Sequence, residues 1–404
     1  MFYFVYADKH GQVFEDTDYC AILRTGHMLV EPERDDMIPL PAGASLVGLP
    51  SRTPAAIDKN GRIVPYPHAG AQAVAALLPQ GYLRTLLPGY RPAREPLPLF
   101  GYAGVAWHDD RFWVAAVPAA ASEDLHRWEP SLFNTPELPA LIGARRQEFG
   151  HNRILEQLIY CSLHYGCFTA QNMLYRRFEA GLPISPRCNA NCVGCISLQA
   201  AECCPAPQAR IGFVPSVAEA AVLAVKHLTE GGDTVSFGQG CEGEPLLESE
   251  LAADIVQAVR GQTKEGRINM NTNGGDYDGL REVVDAGIDS LRVSLNSPRP
   301  KCYDPYYRQQ SYDLGDVVRG IRYARSRGVF VSLNLLVMPG VSDREEEVAA
   351  LQQFIRETGV NQVQFRNLNI DPDLYVGLLP QAEGEVLGLR GLLQAVRATG
   401  VSVR

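Results

Sequence analysis

The sequence predicts an α/β chain in three parts: a β-rich domain over 1–135, a helical connector over 136–182, and an open (β/α)6 partial TIM barrel over 183–404. Three observations carry this. From 183 onward, strand-like and helix-like runs alternate six times. Before about 130, Gly, Pro, Asn and Asp break the chain into short apolar runs. Between the two, apolar residues recur at helical spacing.

In the N-terminal part, the run 104–117 reads as a hairpin turning at Asp109 and Asp110, with aromatics on both arms. Asn60-Gly61 marks a second hairpin. No catalytic pattern stands out here, and docking or lid duty is the modest expectation. The connector begins at Leu138 and continues through Arg153–Leu163. Gly181 and Pro183 are expected to end its last helix. The basic pairs Arg145-Arg146 and Arg176-Arg177 read as solvated helix faces.

The barrel starts with a strand near 183–186. Helices are expected at 216–231, 247–261, 277–286, 313–327, 343–358 and 383–398. Strands are expected at 233–238, 267–271, 290–295, 329–337 and 362–367. Ser216 opens the first of these helices, and Ser342 with Glu345 forms a capping box for the fifth. Strands rich in Val and Leu that alternate with helices imply a parallel sheet with right-handed crossovers. Six strands are too few for a closed eight-stranded barrel, and active-site residues belong at the C-terminal strand ends.

The chain has 404 residues, 46% of them hydrophobic, so each part can bury a core. Formal net charge is −9, from 37 basic and 46 acidic residues, which disfavours nucleic acid as a partner. Residues 1–10 lack the features of a signal peptide, and no apolar run approaches the ~18–20 residues of a membrane span. A cytoplasmic setting follows as an expectation. Ten cysteines there read as metal ligands, reactive thiols or core residues rather than disulfides.

Cys188, Cys192 and Cys195 form a C-x3-C-x2-C run. Three thiolates on one loop can hold three irons of a [4Fe–4S] cluster and leave the fourth iron open. A structural zinc site, completed by Cys203 or Cys204, is the competing reading, although zinc knots prefer paired C-x2-C units. Other polar or glycine-rich residues fall after successive strands: 238–245, 271–275, Ser294 with Asn296 and Ser297, Asn334 with 338–340, and Arg366. Glycine lets a ligand approach the backbone closely, and asparagine and serine supply neutral donors and acceptors.

On these residues the chain resembles the radical S-adenosylmethionine (SAM) superfamily across roughly 183–370. The cysteine run matches that family's CxxxCxxC. Glu242, Gly243, Glu244 and Pro245 look like its GGEP-type loop, which binds the SAM amino group. Ser294 and Asn296 match its ribose and carboxylate contacts, and Met338-Pro-Gly340 falls where it contacts adenine. Gly194 stands where the family often has an aromatic residue beside the third cysteine. The resemblance implies that Cys188, Cys192 and Cys195 bind a [4Fe–4S] cluster. It implies that Gly194, Glu242, Gly243, Glu244, Asn273, Ser294, Asn296, Asn334, Met338 and Arg366 surround the cofactor. It also implies one-electron cleavage of SAM to a 5′-deoxyadenosyl radical, with reduced flavodoxin or ferredoxin as electron donor and sensitivity to oxygen.

A small molecule or cofactor precursor is the first substrate expectation, and a peptide or protein the second. A non-catalytic iron–sulfur or zinc module is the alternative of another class. Cys241 and Cys302 fall after the second and fourth strands and are candidate catalytic hydrogen-atom donors. Cys203-Cys204 are candidates for a second cluster, and Cys20, Cys161 and Cys167 read as buried small hydrophobes. The aromatic segment 303–308 either lines the substrate pocket or anchors a helix start.

Overall fold

Phe178 is where the chain first enters its large parallel sheet. The computed structural model describes residues 1–91, 95–97, 99–119, 126–198 and 206–404. Among these, seven strands lie side by side in chain order. They are β1 (Phe178–Gly181), β2 (Gly232–Phe237), β3 (Arg267–Thr272), β4 (Ser290–Leu295), β5 (Phe330–Val337), β6 (Gln362–Asn367) and β7 (Ser402–Val403). The pairs from β1 to β5 are parallel.

Helices fill the crossovers. The connector holds α1 (Leu138–Phe149), α2 (Arg153–His164) and α3 (Phe168–Tyr175). Then follow α4 (Val217–Thr229), α5 (Ser249–Arg260), α6 (Tyr277–Asp285), α7 (Pro300–Tyr307), α8 (Leu314–Ser326), α9 (Glu345–Thr358), α10 (Pro372–Leu378) and α11 (Gly388–Arg397). No helix among the described residues is long and apolar enough to cross a membrane.

Ser216 caps α4 with a full capping box to Glu219, as its sequence asks. Several other boundaries differ from expectation. The first strand lies at Phe178–Gly181, ahead of 183–186. Helix α3 stops early because Arg176 takes the left-handed conformation at φ 54°. The Asn172 side chain then ties the new strand down through the Glu179 carbonyl at 2.9 Å. Arg176 pairs with Glu148 and Glu230, and Arg177 lies 4.2 Å over the Tyr175 ring. The second basic pair is therefore locked into contacts and is not a solvated helix face.

Ser342 does not cap α9. Its Oγ accepts the Met338 amide at 3.1 Å, and Asp343 Oδ1 accepts the Gly340 amide at 2.7 Å. That folds the 338–343 turn on itself, and the helix begins at Glu345. The segment 303–308, left open between a pocket lining and a helix start, lies in α7. At the first helical position a missing amide costs nothing, and Pro300 sits there. The last helix starts at Gly388, later than expected, because Gly384 and Gly388 take positive φ of 73° and 71°.

The described chain forms two compact units. One comprises Met1–Pro130, Leu336–Gln352 and Phe365–Arg404, and the other Ser131–Leu335 with Gln353–Gln364. The segment expected as one barrel, 183–404, is thus shared between them. In the first unit the N-terminal strands form a ten-stranded and a three-stranded antiparallel sheet among the described residues. The expected hairpin pairs Trp107 with Phe112 and His108 with Arg111. Asp109 and Asp110 have φ of 48° and 53°, both left-handed, as a tight hairpin turn requires. The Asn60-Gly61 hairpin also forms, pairing Ile57 with Ile63.

C-terminal residues are keyed into this unit. Buried Arg84 donates to the Phe100 and Leu368 carbonyls, each at 2.7 Å. Arg24 pairs with Asp373. Gly26 donates to the Pro339 carbonyl at 2.9 Å, and a Cβ on Gly340 would stand 2.2 Å from the Gly26 nitrogen.

Candidate functional site

The second unit holds the cysteine loop, which leaves β1 at the C-terminal end of the sheet. Cys188, Cys192 and Cys195 are half-buried on it. Each of Cys188 and Cys192 is held above its ordinary thiol pKa, first by burial and also by the charge of its sister cysteines. Leu198 donates its amide to Cys195 Sγ at 3.2 Å, and Arg210 Nη2 lies 3.9 Å from the same sulfur. An amide and a guanidinium offset the charge of a bound thiolate.

Among the described residues, no three His, Cys, Asp or Glu side chains converge as ligands of a single metal ion. A cubic cluster takes each thiolate at a separate iron, so three sulfurs spread along one loop suit it better than they suit a tetrahedral ion. The donor set fits a [4Fe–4S] cluster with one iron free of protein ligands. Cys203 and Cys204, weighed as further ligands, lie outside the described residues.

The Glu242–Pro245 loop is built against the cysteine loop. Gly243 donates to the Ser185 carbonyl at 2.7 Å, and Glu244 donates to the Arg187 carbonyl at 2.7 Å. The two carboxylates brace this junction. Glu242 Oε2 accepts the Ile184 and Ser185 amides at 2.8 and 3.0 Å. Its Oε1 accepts the Gly238 and Gln239 amides. Glu244 accepts the Thr272 hydroxyl, the Leu246 amide and the Asn273 amide. Burial pushes both carboxyls up to about 7 against these stabilising bonds. Both oxygens of Glu242 are fully used, so its carboxylate serves the backbone and offers nothing to a ligand. What the loop presents is its main chain.

Asn273 is a second brace. Its Nδ2 donates to Asn189 Oδ1 at 2.7 Å, and its Oδ1 accepts the Gly275 amide at 2.8 Å. Asn296 is buried and donates to the Cys302 carbonyl at 2.9 Å. Ser294 of β4 and Asn334 of β5 are register partners. Asn334 Oδ1 is buried without a hydrogen-bond partner, which leaves an acceptor for a ligand donor.

The two candidate catalytic thiols follow β2 and β4, as expected, and both are buried. Cys241 and Cys302 are 5% and 4% exposed. Cys241 keeps its proton through a contact with Cys161 of α2, whose own thiol falls to about 7 because Cys241 donates to it. Cys302 lies inside α7 rather than in a loop. A hydrogen-atom-donor role is proposed for neither. Met338 and Arg366 fall in the first unit, where Met338 is buried and Arg366 is exposed at the end of β6.

Sequence reasoning missed a polar network on one face of the sheet. Glu179 of β1 pairs with Arg292 of β4 at 2.5 Å and accepts the Ser236 hydroxyl at 2.6 Å. Asn269 bridges Ser236 and Ser290 at 3.1 and 2.8 Å. The signal was present, since polar residues alternate with Val, Leu, Ile and Met along β2 to β5. A strand buried on both faces has no need of such residues, and here they face inward to meet each other.

Residues 182–351 match the model of the Radical SAM superfamily. Over 211 residues the chain is 30% identical to a probable GTP 3′,8-cyclase of Methanosarcina acetivorans, which covers 50% of this chain and 58% of that protein. Over 193 residues it is 22% identical to the FeMo cofactor biosynthesis protein NifB of Klebsiella pneumoniae, covering 44% and 40% respectively. The chain thus spans about half the length of the curated relatives it matches.

Proposed function

We propose that this chain is a radical SAM enzyme that binds SAM at a [4Fe–4S] cluster and abstracts hydrogen from a small polar molecule. When bound, cluster and SAM together supply one-electron cleavage of a carbon–sulfur bond and, through it, hydrogen-atom abstraction.

The chain's own part is to hold and shield. Cys188, Cys192 and Cys195 hold the three ligated irons, with Arg210 and the Leu198 amide beside Cys195. The main chain at Gly243 and Glu244 offers acceptors to the methionyl amine. Ser294 offers a hydroxyl that can donate to the carboxylate, and the free Asn334 amide oxygen can accept from a sugar hydroxyl. The Glu179–Arg292 pair and its asparagines and serines give the strand face a polar, nearly neutral surface. That surface suits a small molecule with several hydroxyl or amide groups. The named activities of the two relatives also lie in small-molecule and cofactor chemistry. An open partial barrel and an oxygen-sensitive centre belong to the same reading.

The observation that carries it is the splice between the two loops, where Gly243 and Glu244 bond to Ser185 and Arg187. A cysteine loop used only to hold zinc has no need of it. The test is anaerobic reconstitution with iron and sulfide, followed by dithionite and SAM. About four irons per chain, a paramagnetic spectrum altered by SAM, and 5′-deoxyadenosine as product are expected. Stoichiometric zinc, or a loaded cluster yielding no 5′-deoxyadenosine, overturns the proposal.

A further inference from the structure

The tyrosine-rich segment after β4 is not used by that function. Helix α7 carries Tyr303, Tyr306 and Tyr307, and Tyr312 follows it. Its last turn is bonded to the cysteine loop on both sides of Cys192. The Asn191 amide donates to the Tyr307 carbonyl at 2.9 Å and the Val193 amide to the Tyr306 carbonyl at 3.0 Å. Carbonyls in a last helical turn lack partners within the helix, so they are free to take these amides. Gln310 adds a third bond, to the Asn189 carbonyl at 2.8 Å. Two glycines admit the rings. A Cβ on Gly194 would lie 3.0 Å from the Tyr306 hydroxyl, and one on Gly275 would lie 2.3 Å from the Tyr312 ring.

The rings of Tyr303 and Tyr307 stack with centroids 4.3 Å apart. The hydroxyls of Tyr303, Tyr307 and Tyr312 are all buried; those of Tyr303 and Tyr312 lie close to each other but form no well-aligned bond, and that of Tyr307 has no partner. Burial lifts each phenol well above its ordinary pKa, and Cys192 is among the groups facing all three. A phenol in its ordinary neutral form is an O–H donor. An unsatisfied buried hydroxyl costs about 1–3 kcal/mol, so three beside one cysteine call for an acceptor. The sulfurs of a cluster at Cys192 are acceptors, and the donors already described serve Cys195.

We propose that the hydroxyls of Tyr303, Tyr307 and Tyr312 donate hydrogen bonds to the sulfurs at the Cys192 corner of the cluster and thereby set its reduction potential. This rests on the cluster assignment made above. Hydrogen bonds to the sulfurs stabilise the more negative, reduced state and raise the potential. The trio brings a very low-potential centre within reach of its electron donor. These are positioning and tuning residues, because they act through the cluster and touch no substrate.

The test uses Tyr303→Phe, Tyr307→Phe, Tyr312→Phe and the triple variant, which keep the rings and remove the hydroxyls. Each protein is reconstituted anaerobically, and its potential is read by redox titration followed by paramagnetic resonance. Lower potentials than wild type are expected, lowest in the triple variant. The shift of Fe–S stretching frequencies on transfer to heavy water should also shrink. Unchanged potentials in cluster-loaded variants overturn the proposal, and so does reduced loading without a change in potential, which marks a packing role. A wild-type protein that takes up no cluster refutes the cluster assignment instead.

Discussion

A Cβ on Gly243 would lie 1.8 Å from the carbonyl oxygen of Arg187. No side chain fits there, because the two backbones run together, with the Gly243 and Glu244 amides donating to the Ser185 and Arg187 carbonyls. The glycine is the condition for the cysteine loop and the Glu-Gly-Glu-Pro loop to meet.

Gly243→Ala should therefore part the two loops. Iron content after anaerobic reconstitution should fall from about four per chain toward zero, while the far-ultraviolet circular dichroism stays that of wild type. A fully loaded alanine variant would show that the junction is not needed to hold the cluster.

Glu242→Gln should destabilise the protein by about 2–3 kcal/mol in urea unfolding. One end of the carboxamide can no longer accept, and it faces two of the four backbone amides that Glu242 now satisfies. A variant as stable as wild type would mean that these amides find other acceptors.

Asp343 makes a prediction about pH. Burial raises its carboxyl from 3.8 to about 6 in the folded chain. The folded state binds the proton more tightly than the unfolded state, so stability rises as pH falls from above 6 toward 3.8. Asp343→Asn keeps an oxygen for the Gly340 amide and removes the charge. It should be more stable than wild type near neutral pH, by on the order of 2 kcal/mol, and lose that advantage in acid. Parallel pH profiles for the two proteins would refute the burial argument.

The Glu179–Arg292 pair is 17% and 21% exposed, so solvent screens it only in part. A double-mutant cycle with Glu179→Gln and Arg292→Met should give a coupling of about 1–2 kcal/mol in unfolding free energy. Additive single effects would show that the neighbouring Ser236 and Asn271, rather than the ion pair, carry the network.

Much of the site can be read in the sequence because its chemistry depends on spacing. Three cysteines at short intervals, and glycine-rich turns after successive strands, leave a mark in the linear pattern whatever the packing. Glu242 shows the limit. Its carboxylate is satisfied by four amides that fold in from positions 184–185 and 238–239, and spacing says nothing of how many donors an oxygen serves. Arg210 and Asn189 were missed for the same reason, since each matters only through a neighbour brought in by folding. At Ser342 a correct local signal, a capping box, lost to a tighter bond with the Met338 amide. At Pro300 a proline opens a helix, as its missing amide allows at the first helical position. A local rule failed where the 338–343 turn is held by contacts distant in sequence.

The two amides flanking Cys192 end on carbonyls of α7, so loop and helix share one opening equilibrium. Whatever holds the loop shut must slow deuterium uptake at Asn191 and Val193, and by reciprocity whatever frays the helix must loosen the loop and any iron it carries. The grip of three sulfur atoms is then, in part, a property of eight residues that contribute none of them.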